Sequence, residues 1–222
     1  MRSRRHIQLL IGLTLLMLVA LGCHWIRHIK SEQSSHTRTV LVNGIKASLK
    51  YLPPAAMMVN DLNRYRDEKT RVSRDTQLSA PARAAILDKM DSELRQRRAG
   101  YQRYLHFRLT LEYEDLKKDV MFESMKGGQA NYSRWLQKLS FGLQQQLSLQ
   151  TDSGEQIPVE LYHLEPNFGL NHSVNLLLAF PASHDRQAIL DSTGHLKVNI
   201  NDFGLGTGPL IFEYDLPLQD FK

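Results

Sequence analysis

The chain has 222 residues, 42% hydrophobic and 23% charged, a balance that excludes a disordered polymer and suits a globular domain. A single cysteine excludes a disulfide within the chain, so the folded part must be held by its core. The net charge of +5 is uneven: residues 1–118 carry 22 Lys and Arg against 11 Asp and Glu, while 119–222 carry 6 against 12.

The opening "MRSRRH" places Arg2, Arg4 and Arg5 ahead of the apolar run "IQLLIGLTLLMLVAL". Basic residues stay on the cytoplasmic side of a membrane, so the chain beyond the run is expected to be exported. The run closes on Val19-Ala20-Leu21-Gly22-Cys23, with small Gly22 directly before the cysteine. This stretch resembles the lipobox of bacterial lipoproteins. The resemblance covers residues 1–23 and implies cleavage before Cys23, acylation of that residue (palmitate among the chains) and a place in the cell envelope. It implies no fold, because lipoproteins share a signal and a lipid only. A second reading keeps Ile7 to Ile26 as an uncleaved hydrophobic helix of roughly 20 residues, long enough for a ~30 Å hydrocarbon core, with Trp25 at the outer interface. A third releases a soluble secreted product. The expected plan is a signal peptide or anchor over 1–22, a polar tether over 23–37 and one domain over 38–222.

Ordered structure is expected from about Thr39. Ile45, Ala47, Leu49 and Tyr51 alternate with Lys46, Ser48 and Lys50, the period of a half-buried strand. Asn43-Gly44 predicts a two-residue turn that pairs Val40–Val42 back as a hairpin. Pro53-Pro54 ends the strand, and residues 54–100 read as helical. Met57, Met58, Val59, Leu62 and Tyr65 supply one apolar side, "RDEKTRVSRDTQ" reads as a charged break, and Ser79 with Pro81 opens a second helix. Ile86, Met90 and Leu94 continue its stripe, and Gly100 is its expected stop.

Leu105, Phe107, Leu109, Leu111 and Tyr113 then alternate with polar residues, the clearest strand in the chain. Residues 115–141 are expected to form a loop with a short strand and a helical turn near Trp135. Further strands are expected at "QQLSLQ", "IPVELYHL", "SVNLLLAF", "HLKVNI" and "PLIFEYDL". The whole predicts a mainly β protein with some α: an immunoglobulin-like antiparallel β-sandwich of about seven strands, with a helical insertion over 54–100.

Few constellations suggest chemistry. "NDFGLGTGP" spaces Gly204, Gly206 and Gly208 as GxGxG, but a strand follows and no lysine does, so a turn is expected rather than a phosphate cradle. Ser183, His184 and Asp185 are adjacent, and consecutive loop residues rarely converge as a nucleophile and its base require. His106, His163, His172 and His195 lack metal-ligand spacing, and Asp152, Ser153 and Glu155 lie in too short a loop for an EF-hand. No catalytic residue, metal ligand or cofactor is assigned. Arg95, Arg97, Arg98 and Arg103 make a dense basic surface that reads either as a solvated helical face or as a site for an acidic partner or anionic lipid.

Together these features predict a membrane-tethered, exported, non-enzymatic protein that binds or assembles other envelope proteins. It touches the membrane through its N-terminal lipid or helix and binds no nucleic acid. A small-ligand carrier or sensor is the alternative, and a hydrolase built from distant residues a weaker one.

Overall fold

Alternation in the sequence becomes two antiparallel sheets in the computed structural model, which describes residues 36–166, 172–184, 187–189 and 194–216. The segment 1–22, Cys23 and residues 24–35 of the tether lie outside the described residues. In chain order the strands are β1 (Thr37–Val42), β2 (Ile45–Leu52), β3 (Tyr104–Tyr113), β4 (Leu147–Thr151), β5 (Gln156–Pro158), β6 (Leu161–Leu164), β7 (Val174–Pro181), β8 (Ser183–His184), β9 (Gln187–Ala188), β10 (His195–Ile200) and β11 (Leu210–Asp215). One sheet has five strands in the order β1-β2-β3-β7-β6. The second has four, β11-β10-β4-β5, and β8 and β9 form a separate two-stranded ribbon.

Nine strands thus make up the two sheets, where about seven were expected. Two segments account for the difference. Asn43 and Gly44 both take positive φ, 53° and 73°, the geometry of the tight turn their sequence predicts, and β1 becomes a full strand. "IPVELYHL" is split after Pro158: β5 pairs with β4, whereas β6 pairs with β7, so one stretch of chain crosses from the second sheet to the first.

The inner faces meet in one core. Leu49, Tyr51, Leu105, Phe107, Leu109, Leu176, Leu178 and Phe180 from the first sheet cluster with Leu149, Val198, Phe212 and Tyr214 from the second. Tyr214 joins the layers directly. Its ring centroid lies 5.3 Å from that of Phe107, and its hydroxyl donates to the Leu49 carbonyl. Burial pushes the Tyr214 phenol well above its ordinary pKa, so it remains a hydrogen-bond donor.

Between β2 and β3 the chain forms α1 (Pro54–Met57), α2 (Val59–Arg74) and α3 (Ala80–Gln102). The charged break is shorter than its sequence suggests, for α2 continues through "RDEKTRVSR" to Arg74. Side-chain pairs three and four residues apart support it: Arg71 with Glu68 at 2.5 Å, and Lys69 with Tyr65 at 2.8 Å. Ser79 caps α3, its hydroxyl accepting from the Ala82 amide at 3.4 Å, with Pro81 in the first turn. Gly100 does not stop the helix. α3 runs on to Gln102 and closes on the right-handed Arg103, a cap that has no need of glycine.

Residues 115–141 hold no strand. They form α4 (Val120–Met125), α5 (Gln129–Gln137) and a wide π-type turn over Lys138–Gly142. Asp119 caps α4 by accepting from the amides of Met121 and Phe122. Among the described residues, no helix is long and apolar enough to cross a membrane.

Candidate functional site

α2 and α3 form an arm that grows from one end of the five-stranded sheet. At 23 residues, α3 is about 34 Å long, yet none of its residues is buried. The arm is held at its base by a polar contact. Met58, Asp61, Tyr65, Glu68 and Val72 recur at spacings of three and four along α2, so Asp61 shares the helix face on which Met58 and Val72 are buried. Its carboxylate, only 9% exposed, accepts from Arg97 at 3.2 Å and from the Tyr101 hydroxyl at 3.0 Å. Burial raises the Tyr101 pKa, and the Asp61 carboxylate adds to it by favouring the protonated phenol. One turn further along, Lys69 donates to the Tyr65 hydroxyl, which donates to Asp91.

Between the helices lies a groove of about 180 Å³ with Met90 and Leu94 on its floor and Arg64, Glu68 and Glu93 at its rim. Ligand pockets usually enclose about 300–1,000 Å³. The groove is smaller than that and is sized for one or two inserted side chains.

The four expected basic residues separate on this arm. All four are exposed, but Arg97, 53% exposed, pairs with Asp61 on α2, while Arg95 and Arg98 lie three apart on one face and Arg103 caps the helix. Arg97 thus holds the arm together, and Arg95, Arg98 and Arg103 make up the rest of the exposed basic surface.

His106 lies where the arm meets the sheet. Its register neighbours on the outer face are Leu52 and Ala179, both buried, and its ring lies 5.9 Å from Tyr101 and 6.0 Å from Tyr104. It is 7% exposed, and among the described residues neither ring nitrogen has a hydrogen-bond partner. Burial lowers its pKa; the Tyr101 carbonyl favours the charged form, but it does not reach hydrogen-bond geometry. Neutral imidazole is the resident form.

The remaining sequence candidates serve the framework. "NDFGLGTGP" joins β10 to β11, and Gly204, Gly206 and Gly208 take φ of 77°, 73° and 65°. It bridges the body: fully buried Phe203 enters the core, its carbonyl accepts from the Trp135 indole at 3.2 Å, and the Asn43 amide donates to the Gly206 carbonyl at 2.8 Å. Lys138 meets Asp202 at 2.6 Å and holds that carboxyl below its usual range. Asp152, Ser153 and Glu155 form the β4–β5 turn, closed by the Thr151 amide on the Glu155 carbonyl at 3.1 Å. Ser183 and His184 form β8, and Asp185 lies outside the described residues. His195 bonds Asp215 at 2.8 Å, and His172 stands 3.4 Å from Asp119. Among the described residues, no group of three or more His, Cys, Asp or Glu side chains is placed to hold a metal ion.

Sequence reasoning missed Asp61 and Tyr101, and it weighed His106 only as a metal ligand. For Asp61 a signal existed, since it shares the stripe of Met58, Tyr65 and Val72. His106 gave none, because its place in the alternation is that of a solvent-facing residue. No protein-family model, curated protein or solved structure matches the chain.

Proposed function

We propose that this protein is a membrane-tethered, exported, non-enzymatic module of the cell envelope that docks other envelope proteins through its helical arm. The observation that carries the reading is α3: about 34 Å of helix with no buried residue, presenting Arg95, Arg98 and Arg103 beside a groove sized for side chains. A helix pair of this length does little for the core of its own domain. The basic start and apolar run ending at Cys23 supply the tether, by acylation of Cys23 or as an uncleaved helix. A basic arm selects a partner with an acidic face, and charge of this kind acts mainly on encounter rate and specificity. For the architecture we propose a β-sandwich. The immunoglobulin-like wiring is not carried further, because β3 pairs directly with β2, whereas an immunoglobulin domain sends its third strand to the facing sheet.

The test is recovery of the intact chain from membranes with its bound proteins. The triple variant Arg95→Glu, Arg98→Glu, Arg103→Glu is expected to lose an acidic partner that the native chain retains, while staying at the membrane. Cys23→Ser is expected to release or mislocalise a lipoprotein and to leave a spanning form in place. An unchanged set of bound proteins in the triple variant contradicts docking through the arm.

A further inference from the structure

The outer face of the four-stranded sheet changes character along its strands. Register sets its side chains in rows: Glu213, Lys197, Gln150 and Gln156 form one, and Ile211, Asn199, Ser148 and Pro158 the next. In the first row Lys197 and Glu213 neutralise each other at 2.7 Å. On one side of the pair His195 meets Asp215 at 2.8 Å, whereas toward Asn201 the side chains of the next row are uncharged. Here a shallow depression of about 250 Å³ forms, lined in part by Ser148, Gln150, Gln156, Asn199, Asn201 and Ile211.

Five of its nine lining residues carry an amide or a hydroxyl, and Ile200, Pro209, Leu210 and Ile211 are the rest. The Ser148 hydroxyl donates to the Gln156 amide oxygen at 2.8 Å, which leaves the Gln156 NH₂ available to donate. Among the described residues, the side-chain amides of Gln150, Asn199 and Asn201 have no hydrogen-bond partner. The outer face of the five-stranded sheet is built differently. There Lys46 pairs with Glu112 at 2.7 Å and Arg108 with Glu165 at 3.0 Å, the pattern of an ordinary solvated face.

We propose that this depression binds a neutral, hydroxyl-rich ligand: a stretch of uncharged oligosaccharide lying across the sheet. The inference stands apart from the tether and the arm. Each amide presents a donor and an acceptor in one plane, and a sugar hydroxyl both donates and accepts, so neighbouring hydroxyls satisfy the amides without formal charge. Among the described residues that line it, no side chain carries a cation to hold a phosphate or an acidic ligand. Ile211, 55% exposed, offers an apolar surface to the C–H face of a ring. The depression is too shallow to enclose a whole ligand, which suits one or two rings of a longer chain.

The experiment is calorimetric titration of the full chain in nanodiscs with chitotetraose and with maltotetraose, the two arms separating acetamido from plain hexose sugars. Binding of either is expected, and Gln150→Glu and Asn199→Asp are each expected to weaken it roughly three- to tenfold by removing an NH₂ donor at constant shape. Lys46→Gln, on the other sheet, is expected to leave binding unchanged. Should a variant fold poorly, slowed hydrogen exchange of residues 148–150 and 199 in the native chain on adding saccharide reads the same contact. No binding of either saccharide into the millimolar range overturns the proposal. So does binding that both variants leave intact, or binding of a neutral peptide in place of saccharide.

Discussion

His106 is where this structure carries a cost. A buried polar group without a partner costs about 1–3 kcal/mol, and both imidazole nitrogens are in that position. Its neighbours Leu52, Ala179 and the Tyr101 and Tyr104 rings would pack against an aliphatic side chain without that loss. His106→Leu is therefore expected to stabilise the protein by about 1–3 kcal/mol at neutral pH, read by chemical denaturation. The pH dependence has a definite sign. Burial lowers the folded pKa below 6.5, so between the folded value and 6.5 the unfolded chain takes up a proton that the folded chain refuses. Native stability falls as pH drops through that window, and His106→Leu removes that part of the slope. His195 acts with the opposite sign, since Asp215 raises its pKa and its contribution fades as pH rises, but it is common to both proteins and cancels. Parallel stability curves for native and variant chains between pH 7.5 and 5 would contradict the assignment.

At the scale of elements, the glycine-rich segment is a clasp. Phe203 fills core volume and reaches Trp135, Asn43 ties the loop to the β1–β2 turn, and Lys138 ties it to the π-type turn through Asp202. Phe203→Ala is expected to cost about 3–5 kcal/mol, the range for emptying a buried aromatic site. Gly206→Ala meets no atom within 4 Å, so its cost is conformational, about 1–2 kcal/mol for an alanine at φ 73°. Thermal or urea midpoints of the two variants check the order. A Gly206→Ala loss equal to that of Phe203→Ala would mean that the loop's conformation matters more than its plug.

Elements also divide what the sequence made legible from what it did not. Strands with one buried face announced themselves by alternation, and Leu105, Phe107, Leu109 and Leu111 are all fully buried as their spacing implies. The Asn43-Gly44 turn and the Ser79 cap were readable for the same reason: their signals are local. What failed depends on distant chain. The switch of sheet after Pro158 follows from which strands lie on either side, and no local pattern encodes that. Arg97 resembles Arg95 and Arg98 in sequence, and only the approach of Asp61, 36 residues away, separates its role. The candidate site was thus half visible: its basic residues by composition, its internal ion pair not at all.

Across the whole molecule, the two sheets and the clasp make a self-sufficient body, with Tyr214 stitching the layers from within. The arm adds little to that core, and its exposed basic face is the feature that folding alone does not explain. Arg98 on the arm and Lys46 on the five-stranded sheet are both exposed cationic positions, so they make a matched pair for comparison. A photo-crosslinking side chain placed at each in turn, in the intact chain in its native cells, tests docking through the arm most directly. From Arg98, a discrete cross-linked species larger than the chain itself is expected, with none of that size from Lys46. No cross-link from Arg98, or the same species from both positions, would contradict the arm as the docking surface.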